Sequence, residues 1–230
     1  MTVDNSPMVG HSDFLRTPED VCKPDSRNAA VFRPRAIEEQ HREVAEIKLH
    51  HDVPEDVRIQ FETTKNLYLY SWFVYRFYSV AKLHAYTCLE LALRDRFEAL
   101  MVDPINKMSK AKPGMKRLLG FAVDNGFLKN ENFEEWQHRT EMRAKQRVKN
   151  AAINEMDRLG LNEVVIDESQ YEINDEDRDH DYLATLLETM PWLRNHYAHG
   201  STSLDSQALG TIKLVAEIIN QIFLNPESVK

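Results

Sequence analysis

Residues 55–101 contain neither glycine nor proline, and a run of that length exceeds any ordinary strand and reads as helix. Pro54 follows Asp52 and precedes Glu55 and Asp56, an arrangement suited to the first turn of a helix. The run therefore predicts either one long helix or two joined by a break near Asn66. In its second half Leu67, Tyr70, Val74, Phe77, Ala81, His84, Cys88 and Leu91 recur at spacings of three or four, which predicts a central, core-facing helix. Seven glycines and nine prolines in 230 residues are about 7%, against roughly 12% in an average chain. That scarcity disfavours turn-dense sandwiches, propellers and collagen-like repeats, and the expected fold class is all-α.

Leu67–Tyr86 is the only segment that invites a membrane reading, but Arg76, Lys82 and His84 interrupt it. No uncharged run is long enough to span, so a buried helix of a soluble protein is expected. The balance of 37 acidic against 29 basic residues, a net charge of −8, argues against a general nucleic-acid coat protein and leaves room for a localised basic site. Cys22 and Cys88 are far apart and show no ligand spacing, which fits a reducing compartment and predicts a cytoplasmic address. Residues 1–34 mix prolines, polar residues and both charges without a continuous apolar stretch; they predict a flexible N-terminal arm rather than a targeting signal. Residues 35–230 are then expected to form a single helical domain.

Further along, Asp103-Pro104 predicts a helix end, Lys107–Pro113 a basic loop, and Met115–Asn125 a short helix closed by Gly126. Glu131–Leu159 predicts a long helix with Phe133, Trp136, Thr140, Ala144, Val148, Ala151, Met156 and Leu159 on one face. Arg139, Arg143 and Arg147 line an adjacent face as a basic strip. Residues 152–181 hold eleven acids and two bases, a local charge of −9 that leaves the rest of the chain near +1. This segment reads as an acidic loop, with a short strand conceivable at Val164–Ile166 and an electrostatic cover for the basic strip as its hypothetical role. Two last helices are expected at Tyr182–His199 and Asp205–Leu224, separated by Gly200 and a Ser/Thr-rich turn. His50-His51 has no partner nameable from the sequence.

The informative string is Leu193-Arg194-Asn195-His196-Tyr197-Ala198-His199-Gly200. It crowds a guanidinium, an amide and two imidazoles at a helix end, just before a glycine suited to a left-handed cap. Asn195 and His199, four apart, share a helical face, whereas Arg194 and His199, five apart, diverge by about 140°. A plain helix terminus, with Arg and His facing the last carbonyls and the macrodipole, is the structural alternative.

LRNHYAHG resembles the Arg-x4-His motif of the HEPN superfamily, small all-α domains whose ribonuclease members often carry Asn directly after the Arg. Ala85–Arg94, AYTCLELALR, is similar to the family's helix bearing Leu-Glu followed by Ala-Leu-Arg. A weaker echo lies in Leu118–Ala122 through Leu128. The matched core covers about 67–128 and 180–224; the N-terminal extension and the insertion at about 129–180, a long helix plus acidic loop, depart from a minimal HEPN domain.

The resemblance implies an antiparallel helical bundle and a metal-independent endoribonuclease that needs no cofactor. RNA would be cut by attack of the 2′-OH on the adjacent phosphorus, giving 2′,3′-cyclic phosphate and 5′-OH ends. His199 would act as base or acid, Arg194 would hold the phosphate oxygens, and Asn195 would fix the imidazole or donate to the phosphate. Glu90 would pair with Arg94 or orient Arg194 from the second shell. His196, Arg139, Arg143 and Arg147 are candidate RNA contacts. A homodimer with the site at its interface is implied, as is a setting such as toxin–antitoxin or phage defence with an antitoxin or other regulatory protein. The alternative is a catalytically silent HEPN module that serves as a nucleotide- or protein-binding scaffold.

Overall fold

A computed structural model describes residues 13–29, 36–101, 113–167, 170–200 and 204–224. Among them the fold is all-helical: α1 (Ser26–Ala29), α2 (Ile37–Ala45), α3 (Glu55–Tyr70), α4 (Phe77–Phe97), α5 (Met115–Asp124), α6 (Glu134–Leu159), α7 (Asp175–Arg178), α8 (Tyr182–Ala198) and α9 (Ala208–Leu224). No described helix is long and apolar enough to cross a membrane. The expected helix end at Asp103-Pro104 and nearly all of the expected basic loop lie outside the described residues.

α4 is the axis of the bundle and packs against α3, α5, α8 and α9. Enclosure by neighbours explains why its burial is wider than the single stripe expected: Ala81, Ala85, Cys88 and Ala92 are buried, and so are Tyr78, Tyr86, Leu89, Leu93 and Phe97. The expected face also erred at its ends, because Tyr70 and Leu91 are exposed. Fully burying a side chain such as Leu93 or Phe97 stabilises the fold by about 1.5–3 kcal/mol. The apolar core joins Val44 and Ile47 near α2 to Ile218, Ile219 and Ile222 of α9. Burial pushes the Cys88 thiol up to about 12, whereas Cys22 is exposed and both cysteines are free.

The expected break near Asn66 falls later. α3 continues to Tyr70, and residues 71–76 form a turn with no glycine or proline. Side chains distant in sequence terminate it. Gln40 Nε2 donates to the Tyr68 carbonyl at 2.6 Å and to Ser71 Oγ at 3.1 Å. Asn28 Nδ2 donates to the Trp72 carbonyl at 2.8 Å, and Arg16 to that of Phe73. Buried Asp25 accepts from the Tyr75 N–H at 3.1 Å and from Arg27 at 2.8 and 2.9 Å. Carbonyls and amides left over by the helix ends are thus satisfied from outside α3 and α4. Residues 13–29, within the arm expected to be flexible, hold this turn through these bonds.

α6 begins against the core through Phe133, Trp136, Thr140 and Ala144. Its expected apolar face then runs out, for Ala151 and Leu159 are exposed. Its 26 residues span about 39 Å. Gly160, with φ at 63°, ends it, and the Leu161 N–H reaches back to the Met156 carbonyl at 3.0 Å, the left-handed closure for which glycine carries no Cβ penalty. Val164–Ile166 forms no strand; an isolated run of three residues has no ladder partner among the described residues.

Candidate functional site

The last two turns of α8 carry the crowded polar string. Tyr182, Leu183, Leu186 and Met190 bury the opposite side of the helix, so the 3.6-residue period turns Trp192, Asn195 and His196 outward within an arc of about 100°. All three are exposed, as is His199, which caps the helix with its N–H on the Asn195 carbonyl at 3.0 Å. Gly200, at φ 89°, takes the chain away. Pro191 lies inside α8; lacking an N–H, it leaves the Leu187 carbonyl without its ordinary helical donor, just before the turns that carry the polar string.

Arg194 sits on the flank between this exposed arc and the core. Its guanidinium turns to α4, where Nη2 donates to Glu90 Oε2 at 3.1 Å, while Nη1 donates to Asn195 Oδ1 at 3.3 Å. The other Glu90 oxygen accepts from Arg94 Nη2 at 2.7 Å. One carboxylate therefore joins two guanidiniums, and Glu98 supplies a second carboxylate on the Arg94 side. Among the described residues Arg94 Nη1 is buried without a hydrogen bond and lies 3.9 Å from Glu98. Arg194 is 36% exposed against 15% for Glu90, so its charge reaches solvent while its anchor is sheltered. Charge-assisted pairing of this kind orients a guanidinium without neutralising its outer face.

The structure brings Arg194, Asn195, Glu90 and Arg94 together. His199 is one cap away on the exposed arc, and within the chain no hydrogen bond joins it to Arg194 among the described residues. His196 stacks on Trp192, ring centroids 5.3 Å apart and planes 12° from parallel, making an aromatic surface beside Asn195. Tyr197 faces inward and stacks on Tyr86 at 6.4 Å.

Sequence reasoning missed a polar buttress below the site. Lys82 of α4 is buried, bonds Asp205 ahead of α9 and lies 3.4 Å from the Tyr197 hydroxyl. Burial acts to raise the Asp205 carboxyl, but Lys82 and the Gln207 N–H outweigh it and hold it below the usual range. The signal was present in the chain: a lysine inside the most apolar segment demands an anionic partner.

The basic strip is engaged within the chain. Arg139 pairs with Glu135 at 2.7 Å and lies over the Tyr182 ring. Arg143 donates to the Glu176 carbonyl at 3.0 Å, and Arg147 grips both oxygens of Asp177 at 3.1 and 2.9 Å and the Glu172 carbonyl at 2.7 Å. Asp177 also closes a capping box with Asn174. The Arg147 guanidinium, with the Asn174 N–H, holds the Asp177 carboxyl below the usual range. Part of the acidic segment thus lies on the strip.

Comparison with family models, with curated proteins and with solved structures finds no match for this chain.

Proposed function

We propose that the protein is a HEPN-type, metal-independent endoribonuclease that acts as a homodimer on RNA. The observation that carries this reading is the Glu90–Arg194 contact at 3.1 Å. Glu90 belongs to AYTCLELALR and Arg194 to LRNHYAHG, two segments that resemble the same family separately and that a chance likeness would have no reason to join. An oriented, solvent-reaching guanidinium beside an amide and an exposed imidazole is also the equipment that phosphodiester cleavage needs.

In this mechanism His199 takes the proton from a ribose 2′-OH, and O2′ attacks the neighbouring phosphorus. The P–O5′ bond breaks, and O5′ receives a proton from an imidazole acting as acid. Arg194 and Asn195 stabilise the charge that builds on the non-bridging oxygens. Arg194 and His199 diverge on one helix, and pairing two copies across a twofold axis would supply a guanidinium from one and an imidazole from the other. The Trp192–His196 stack offers a face to an unpaired base. A toxin–antitoxin or phage-defence role, with a regulatory protein partner, belongs to the same reading.

Labelled RNA incubated with the protein in EDTA should yield 2′,3′-cyclic phosphate and 5′-OH ends. His199→Ala and Arg194→Ala should each slow the cleavage by about 10²- to 10⁴-fold. Normal cleavage by His199→Ala would end the proposal. The exposed aromatic surface favours a second reading, a silent HEPN scaffold that docks nucleotide or protein; a folded dimer that binds RNA without cutting it would select that one.

A further inference from the structure

The turn between α2 and α3 brings three metal-ligating side chains to one point. His50 Nδ1 lies 3.2 Å from Asp52 Oδ2, and His51 Nε2 lies 3.3 Å from Asp52 Oδ1. One ligand atom from each residue fits within a 4.8 Å cluster. Zinc takes imidazole nitrogen at about 2.0–2.1 Å and carboxylate oxygen at about 2.0–2.2 Å, so the edges of its tetrahedron are about 3.4 Å. Each imidazole lies at about that distance from one Asp52 oxygen, His50 from Oδ2 and His51 from Oδ1, and a single ligand atom from each residue lies within 4.8 Å of the others.

The backbone beneath these ligands is braced from another helix. Asn220 of α9 accepts from the His50 N–H at 2.8 Å and donates to the Lys48 carbonyl at 3.0 Å. The Val53 N–H donates to the His50 carbonyl at 3.1 Å, and the buried Val53 side chain pins the following residue. Ligands are therefore presented by a fixed turn, with the rings 4.0 Å apart between centroids and His50 Nδ1 accepting from the Asp52 N–H at 3.4 Å, a long bond that an ion would displace. Preorganised ligands on a supported backbone are what a metal site requires.

We propose that His50, His51 and Asp52 bind one divalent transition-metal ion, of which zinc is the type. Two imidazole nitrogens select this class over calcium and magnesium, which favour all-oxygen shells. Three protein ligands leave at least one position for water. The bound ion ties the α2–α3 turn together above its Asn220 brace, and it belongs to a site distinct from Arg194 and His199.

The test uses the full chain stripped of metal by chelator dialysis and titrated with cobalt(II), followed by visible d–d absorption, and with zinc(II), followed by competition against a chromogenic chelator. One ion per chain with a tetrahedral cobalt spectrum is expected, and zinc should shift the His51 ring resonances. His51→Gln, at a side chain 80% exposed, should leave the circular dichroism unchanged and weaken binding by at least about tenfold; His50→Gln should do the same. No saturation at millimolar zinc, or equal affinity in the wild type and the double variant, would overturn the proposal. Cleavage of RNA plays no part in the readout, so the two proposals fail separately.

Discussion

Glu90 of α4 and Arg194 of α8 are 104 residues apart in the chain and hydrogen-bonded at 3.1 Å. Because Glu90 also holds Arg94 at 2.7 Å, its carboxylate is shared by two guanidiniums rather than being one half of an isolated pair. The arrangement fixes the direction of Arg194 through a partner better shielded from water than Arg194 itself.

On the proposed function, that geometry makes Glu90 a positioning residue for Arg194. Glu90→Gln keeps the shape of the side chain and removes the charge, so it should lower kcat for RNA cleavage by about 10-fold, with a smaller change in KM. Steady-state kinetics on a labelled oligonucleotide, with dimerisation checked by light scattering, reads the split. A kcat equal to that of the wild type would remove Glu90 from the machinery.

Asp177 is the main carboxylate on Arg147. Asp177→Ala should release that guanidinium to phosphate, raising RNA affinity and steepening the slope of log K against log salt by about 0.7 for single strands. Fluorescence anisotropy over a salt series measures it. An unchanged slope would mean that Arg147 lies off the RNA path.

Lys82 and Asp205 test the buttress below the site. Asp205→Ala leaves a buried ammonium without its carboxylate and, because Asp205 itself is partly open to water, should cost about 1–3 kcal/mol of stability. Lys82→Met removes the buried charge and fills much of the same space, so it should cost less, even though Asp205 loses its partner. Urea unfolding with a common slope discriminates the two, and the reverse order would show that the ammonium is not the costly group.

Asp25 sets a limb of the pH profile. Burial acts to raise its carboxyl, but hydrogen bonds from the Arg27 side chain and from the Tyr75 and Arg27 amides outweigh it and bring it below its ordinary value. A carboxyl lowered in the folded state contributes stability that is fully present above its unfolded value, near 3.9, and is lost as pH falls through the lower folded value. The contribution should therefore be constant from neutrality to about pH 5 and fade below about pH 4. Asp25→Asn should lower Tm at pH 7 and narrow its gap to the wild type in acid; a gap that widens in acid would contradict the sign.

Helix content, the position of α4 and the ends at Gly126, Leu159 and Gly200 were legible in the chain, because periodicity, proline placement and left-handed glycine act over a few neighbouring residues. The polar string on α8 was legible for the same reason, as was the divergence of Arg194 from His199. The end of α3 was not: Gln40, Asn28, Arg16 and Asp25 terminate it from far away in sequence, so the composition near Asn66 held no trace of the turn at 71–76. The outer half of α6 kept its helical spacing but lacks a core to bury it. Sequence by itself determined the helical fold of the described residues and a polar string gathered at one helix end, since those outcomes depend on local geometry and on apolar spacing. Tertiary structure decided that Glu90, expected to meet Arg94 or Arg194, meets both, that Lys82 meets Asp205 and that the acidic segment, hypothesised as a cover, reaches the strip, because pairing of charges between helices depends on where the packed core sets each backbone.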